Sequence, residues 1–179
     1  MAVFGERVER IASADNGSYG LVRDDSGPVV IDNDATAIMA GLRRELDRIH
    51  LTHDSSCICV VSPDGGSAAQ AMDGFGTRFA TKLRSYDAIY RFAADKYLVM
   101  LPHISRGDAV GVIKRLRDQV IGQPFRVAGD QEVRVTASFG GTMLDSKALL
   151  HEHIDHASEA HEWALKGMGD SICFWAPQF

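Results

Sequence analysis

Leu83-Arg84-Ser85-Tyr86-Asp87-Ala88-Ile89-Tyr90-Arg91-Phe92-Ala93-Ala94-Asp95-Lys96-Tyr97-Leu98-Val99-Met100-Leu101-Pro102 is the stretch from which the fold can be read. Ala88–Phe92 and Tyr97–Leu101 are rich in aromatic and β-branched residues, which favours strands. The short polar step Ala93–Lys96 between them predicts a hairpin turn.

Before that hairpin, Asp34 is positioned to cap a helix running to about Ile49, with Ile38, Leu42, Leu46 and Ile49 on one face. Cys57–Val61 is a continuous apolar run, as expected of a strand covered on both faces. Ser62-Pro63-Asp64 and Gly65-Gly66 end it, with Asp64 read as a turn residue. A helix over Ser67–Arg84 follows, its core stripe being Met72, Phe75, Phe79 and Leu83.

After the hairpin, Ser105-Arg106-Gly107-Asp108 predicts a capped helix with Ala109, Val112, Ile113, Leu116 and Val120 inward and Gly122 at its end. Phe125–Val127 and Glu132–Gly140 read as a second hairpin about Ala128-Gly129-Asp130, the latter strand alternating apolar and polar. Helical segments Ser146–His151 and Ile154–Leu165 lead to a last strand, Ile172–Trp175. This order predicts an α/β (α+β) domain, an antiparallel-rich sheet flanked by helices.

At the hairpin, Arg91-Phe92-Ala93-Ala94-Asp95-Lys96-Tyr97 followed by an apolar strand ending in Leu101-Pro102 resembles the GGDEF signature of diguanylate cyclases, with AADKY in place of the motif. Val135-Thr136-Ala137-Ser138-Phe139-Gly140 resembles the family's Val-Thr-x-Ser-x-Gly strand. The resemblance covers about residues 34–176 and implies the cyclase palm-like fold. Residues 1–33 stand outside it as an N-terminal extension, with a helix expected at Phe4–Ala12 and strands at Tyr19–Arg23 and Pro28–Ile31.

The same resemblance implies a degenerate site with no catalytic residue. Two glycines at a hairpin tip permit positive φ and close approach of a phosphate; Ala93 and Ala94 forfeit both. The family's metal-binding Glu falls on Lys96, replacing an anion by a cation where Mg²⁺ should bind. The first Asp of the family's Asp-x-Asp falls on Ser62, so a second ligand is missing and the Mg²⁺ site is expected to be lost. Asp95 and Tyr97 complete the altered motif. Lys96 lies 34 residues after Ser62, roughly nine fewer than the family spacing, which removes the loop that grips guanine in cyclases. The family's triphosphate-holding Arg falls on Asp170, leaving Lys166 as a phosphate candidate, although one Lys near a helix C-terminus also answers the helix dipole.

Arg84-Ser85-Tyr86-Asp87 matches the family's Arg-x-x-Asp inhibitory site for cyclic di-GMP, with Arg84 nine residues before Ala93 as the register requires. A guanidinium presents paired donors to guanine or phosphate, and a carboxylate accepts from guanine N–H groups. The structural alternative is a helix-end ion pair. Arg115 or Arg117 would supply a secondary arginine.

Composition bounds the rest. A net charge of −5 with 45% hydrophobic and 24% charged residues suits one globular domain without a broad nucleic-acid surface. No apolar run is long enough to span a membrane, and a cytoplasmic location is expected. Cys57, Cys59 and Cys173 read as buried reduced thiols, with Cys57 and Cys59 expected on opposite sides of their strand. His151, His153, His156 and His161 lack metalloprotease spacing and read as solvated helix residues. The expectation is a catalytically inactive GGDEF domain regulating cyclic di-GMP signalling. The alternatives are a dimerisation or partner-binding module, and a residual GTP-binding domain using Lys96 and Lys166. Phe174–Phe179, with residues 177–179 as its tail, resembles the linker into an EAL phosphodiesterase domain, an expected covalent partner.

Overall fold

The structure, a computed structural model, describes residues 34–176. The elements expected within residues 1–33 and the tail 177–179 lie outside the described residues.

Helix α1 (Ala35–Thr52) starts where Asp34 accepts a hydrogen bond from the Thr36 N–H. It ends where His53 turns left-handed at φ 53° and donates its N–H to Ile49 O. Strand β1 (Ser56–Asp64) is central. Helix α2 (Ala68–Ala80) precedes the hairpin of β2 (Ala88–Ala93) and β3 (Lys96–Pro102). Helix α3 (Arg106–Ile121) is capped by Ser105, whose Oγ accepts from the Asp108 N–H. Strands β4 (Phe125–Val127) and β5 (Gln131–Val133) form a side ladder. Then come β6 (Thr136–Met143), α4 (Leu150–Lys166) and β7 (Ile172–Phe174).

The main sheet has the order β2-β3-β1-β6-β7 and is antiparallel except for the β6–β7 pair. Side chains alternate across it, so β1 supplies two cores. Cys57, Cys59 and Val61 pack with Phe75, Phe79 and Ile113 of α2 and α3. Ile58 and Val60 pack with Ile38, Leu42, Ile154 and Ala157 of α1 and α4. Helices on both faces explain why β1 is apolar without alternation.

Several expectations are corrected. Residues two apart on a strand share a face, so Cys57 and Cys59 lie on the same side, their sulfurs 3.7 Å apart. Helix α2 stops at Ala80 rather than Arg84, because the Arg84 N–H is taken by the Asp87 carboxylate at 2.8 Å, an alternative to the helical bond. The strand expected over Glu132–Gly140 is broken at Arg134-Val135, since β5 pairs with β4 while β6 pairs with β1. Ser146–Ala148 forms a turn rather than a helix: Asp145 accepts from the Lys147 and Ala148 N–H groups. One helix, α4, then starts at Leu150, with Glu152 reaching back to the Leu149 N–H at 2.7 Å.

Gly140 fixes how α4 seats. A Cβ there would stand 2.0 Å from the His161 nitrogen and 2.4 Å from the Ala157 oxygen. The helix backbone therefore rests directly on β6, which brings His161 to the end of β1.

Candidate functional site

A cleft of about 880 Å³ opens where β1, α2, the hairpin tip and the α4–β7 turn converge. Ser62 and Asp64 come from the end of β1, Ala94, Asp95 and Lys96 from the tip, and Met168 and Gly169 from the turn. The spacing that aligns Ser62 and Lys96 in sequence thus brings them together in space.

Asp64 joins three elements. Its Oδ2 accepts from Ser138 Oγ at 2.5 Å on β6 and from the Asp170 N–H at 3.0 Å, and Ser62 Oγ stands 3.5 Å from its Oδ1. Met168, Gly169 and Asp170 all have positive φ, and this left-handed run carries the turn onto Asp64. More than a turn residue, Asp64 is the tie between β1, β6 and the turn before β7.

Ser62 is buried, and its Oγ lies 2.8 Å from Nε2 of His161. His161 is itself buried; loss of hydration, reinforced by the Lys96 charge, pushes its pKa down to about 4. Lys96 is half-buried, and its ammonium makes no hydrogen bond or ion pair with the described residues. Among the described residues, no three His, Cys, Asp or Glu side chains gather around one metal position.

The tip is held from beneath by Arg91. Its guanidinium donates to Ala93 O at 3.0 Å, Ala94 O at 2.5 Å, Asp73 Oδ1 at 2.9 Å and Tyr97 Oη at 3.0 Å. None of residues 93–96 has positive φ, so the two alanines are accommodated by the turn itself. Tyr97 is buried and donates to Met72 O at 2.9 Å. It lies over Gly76, where a Cβ would meet its hydroxyl at 2.3 Å.

Lys166 sits exposed on the last turn of α4, where Leu165 and Met168, not Lys166, face the cleft. Asp170 contributes its backbone N–H to Asp64 and lies against Arg117.

Arg84 and Asp87 occupy the opposite end of the sheet. Arg84 donates to both carboxylate oxygens of Asp87, the shortest contact being 2.8 Å, and to Pro102 O at 3.1 Å. Asp87 is only 2% exposed. Tyr86 packs under the Arg84 guanidinium at 4.5 Å and edge-on to His103. The pair lies in a turn after α2, not in a helix end. Pro102 pairs with Ser56 at the start of β1, whereas Arg117 donates to Asp170 O beyond its other end. A strand of this length separates these ends by roughly 25 Å, so Arg117 is not brought to Arg84. Arg115 is exposed on α3.

The sequence reading of the α4 histidines as solvated helix residues is corrected, since His153 and His161 are buried. His153 and His161 fall on the core face of α4, His153 bonding to Asp145 O at 2.9 Å, while His156 stacks on Trp175 at 3.6 Å. His161 and Arg91 are the site residues that sequence reasoning misses. The four-residue spacing of His153, Ala157 and His161 along one helical face carries the signal for the histidine.

Residues 66–170 match the family described as Diguanylate cyclase, GGDEF domain. The response regulator PleD of Caulobacter vibrioides is 34% identical over 67 residues, 37% of this chain and 15% of PleD. Diguanylate cyclase DosC of Escherichia coli K12 is 22% identical over 97 residues, 54% of this chain and 21% of DosC. The chain therefore spans under a quarter of these relatives. The GGDEF domain of DgcB from Caulobacter crescentus, solved with c-di-GMP, superposes with a TM-score of 0.70 at 13% identity, over 91% of this chain and all of that one. Diguanylate cyclase SiaD of Pseudomonas aeruginosa, solved with its activator SiaC, gives 0.68 at 25% identity, over 78% of this chain and 57% of SiaD. No helix among the described residues is long and apolar enough to cross a membrane.

Proposed function

Because the chain belongs to the GGDEF domain family, we propose that it is a catalytically inactive member with a regulatory role in cyclic di-GMP signalling. The observation that carries this reading is the pairing of Ser62 with His161 at 2.8 Å beside Lys96, whose ammonium has no ion-pair partner among the described residues. A divalent cation in such a cleft needs oxygen ligands, several of them anionic. Here one metal position offers a neutral hydroxyl already engaged with an imidazole, and the other offers an ammonium. At about 4 Å and an effective dielectric of about 20, each pair of unit charges is worth about 4 kcal/mol, and Lys96 turns that from attraction into repulsion. Asp64, the carboxylate that remains on β1, is already taken by Ser138 and Asp170. These residues do not fit Mg²⁺, which leaves a triphosphate in the cleft without the counter-charge that phosphoryl transfer requires.

The ligand role is assigned to the Arg84 turn, where the guanidinium, about one-third exposed, lies over the ring of the exposed Tyr86. A guanine base or phosphate would be met there by the guanidinium, whose planar donors and stacking face suit either. Cyclic di-GMP is the ligand proposed, because the DgcB GGDEF domain was solved with it. Asp87 must leave a nearly closed ion pair to take part, so Arg84 carries most of the expected affinity. Calorimetric titration of cyclic di-GMP into the chain and into Arg84→Ala tests this. Binding that is lost in the variant supports the receptor reading, and the absence of heat with the unaltered chain overturns it.

The buried Asp87 favours one second reading, a dimerisation or partner-binding module in which Arg84–Asp87 only stabilises the turn. In that case self-association or partner capture is unchanged in Arg84→Ala. An EAL phosphodiesterase domain attached downstream is the proposed covalent partner in either reading.

A further inference from the structure

The turn between β3 and α3 holds a strained residue. His103 has φ 54°, a left-handed backbone that a residue with a Cβ adopts at a cost and keeps only where its surroundings enforce it. The enforcement comes from the loop between α1 and β1. The Ile104 N–H donates to Ser55 O at 3.0 Å and Ser55 Oγ donates to Ile104 O at 2.8 Å, which ties the chain directly after His103. Asp54 of the same loop bonds to Nδ1 of the imidazole, and Arg48 Nη1 of α1 donates to Asp54 Oδ2 at 3.0 Å. The Ser55 N–H, Arg48 and His103 push the Asp54 pKa down to about 2. Its carboxylate is therefore ionised and can only accept, which places the shared proton on Nδ1.

The imidazole held in this way reaches the Arg84 turn. Its ring meets that of Tyr86 edge to face, with 5.6 Å between centres and 87° between planes. The Arg84 guanidinium lies over the Tyr86 ring, 4.5 Å from its centre. Asp87 and Pro102 O accept from Nε and Nη2 of Arg84 and so fix one edge of the guanidinium. Its tilt about that edge is left to the ring. Tyr86 is 47% exposed, so core packing does not set the ring in its turn. Among the described residues, its ring partner is His103.

We propose that His103 is a positioning residue of the Arg84 site. Anchored by Asp54, it holds the Tyr86 ring against the guanidinium and presets the tilt at which Arg84 meets cyclic di-GMP, without touching the ligand itself. A donor already set at its bound angle loses less freedom on binding, which raises affinity without a new contact. Asp54, Tyr86 and His103 come from three separate loops, so the Arg-x-x-Asp spacing carries no sign of this role. The role rests on the ligand reading of the Arg84 turn, and a ligand-free measurement separates the two.

The test uses the full chain with two substitutions. His103→Asn removes the ring, and asparagine tolerates the left-handed backbone. Asp54→Asn weakens the tether and leaves Tyr86 and Arg84 intact. The ligand-free measurement is the Arg84 Nε–Hε cross-peak in a nitrogen-proton NMR spectrum, which the ring current of Tyr86 displaces; Tyr86→Leu gives its position without the ring. Both variants are expected to move the cross-peak toward that position, and the double variant no further than His103→Asn alone. Calorimetry is expected to show cyclic di-GMP bound about tenfold more weakly by His103→Asn than by the unaltered chain, a loss of about 1.4 kcal/mol. An unmoved cross-peak in His103→Asn overturns the proposal, as does a moved cross-peak with unchanged affinity. No heat with the unaltered chain overturns the ligand reading itself, and with it the purpose assigned to His103.

Discussion

Nε2 of His161 and Oγ of Ser62 meet at 2.8 Å although 99 residues separate them in the chain. This contact links α4 to the end of β1, and it occupies the hydroxyl that the proposed reading places at a metal-ligand position. Burial and the Lys96 charge keep the imidazole neutral.

That neutrality makes stability depend on pH. The folded pKa of His161, about 4, lies below the unfolded value near 6.5. Between these values the unfolded chain binds more protons, so stability is full above about pH 6.5 and falls as the pH drops toward 4. The loss reaches about 3 kcal/mol from this residue, and His153, also shifted down by burial, adds in the same direction. Urea unfolding at pH 7 and pH 5 measures the slope, which is expected to shrink in His161→Gln. An equal slope in that variant would assign the effect to other groups.

Gly140→Ala tests the seating of α4. The new Cβ would fall 2.0–2.4 Å from backbone atoms of His161 and Ala157, which cannot rotate away. Destabilisation of about 3 kcal/mol or more is expected, from the displacement of a helix rather than a side chain. Thermal melting of the variant checks this.

Arg84→Ala leaves the Asp87 carboxylate buried, with the Arg84 backbone N–H still donating to it. Arg84 is itself about one-third exposed, so the loss is less than for a fully buried pair, about 2 kcal/mol. Asp87→Asn is expected to cost less, since the charge it leaves unpaired, on Arg84, is about one-third exposed and partly hydrated, whereas Arg84→Ala leaves its bare charge on the buried Asp87. Chemical denaturation of both variants tests the order, and it also establishes that a binding defect in Arg84→Ala is not loss of fold.

Arg91→Ala removes four donor contacts from the hairpin tip. The expected cost is about 1–2 kcal/mol, with faster amide exchange confined to residues 93–97. Uniform exchange across the sheet would contradict a local clamp.

Much of the fold is legible in the sequence, because the hairpin and β1 declare themselves by local composition. Ala88–Phe92 and Tyr97–Leu101 need no tertiary information, and the apolar Cys57–Val61 run states that both faces are covered. Cys57 and Cys59 are misassigned through the strand period, which puts alternate residues on one side. The end of α2 is hidden because it depends on Asp87 folding back to the Arg84 amide. The break before Thr136 is hidden because β5 and β6 answer to different partners. At the site, Ser62 and Lys96 are found by register, whereas His161 lies a helix and 99 residues away. Arg91 stands in the motif, yet its role follows only from the carbonyls that Ala93 and Ala94 turn toward it.

Turnover is the measurement that bears most directly on the proposed loss of the metal site. The purified chain is incubated with GTP and Mg²⁺, and cyclic di-GMP is quantified by mass spectrometry against a reaction without protein. No product above that control is expected on the proposed reading, in which the family's two metal-ligand positions fall on Ser62, engaged with His161, and on Lys96. Sustained, protein-dependent formation of cyclic di-GMP would contradict the inactive reading.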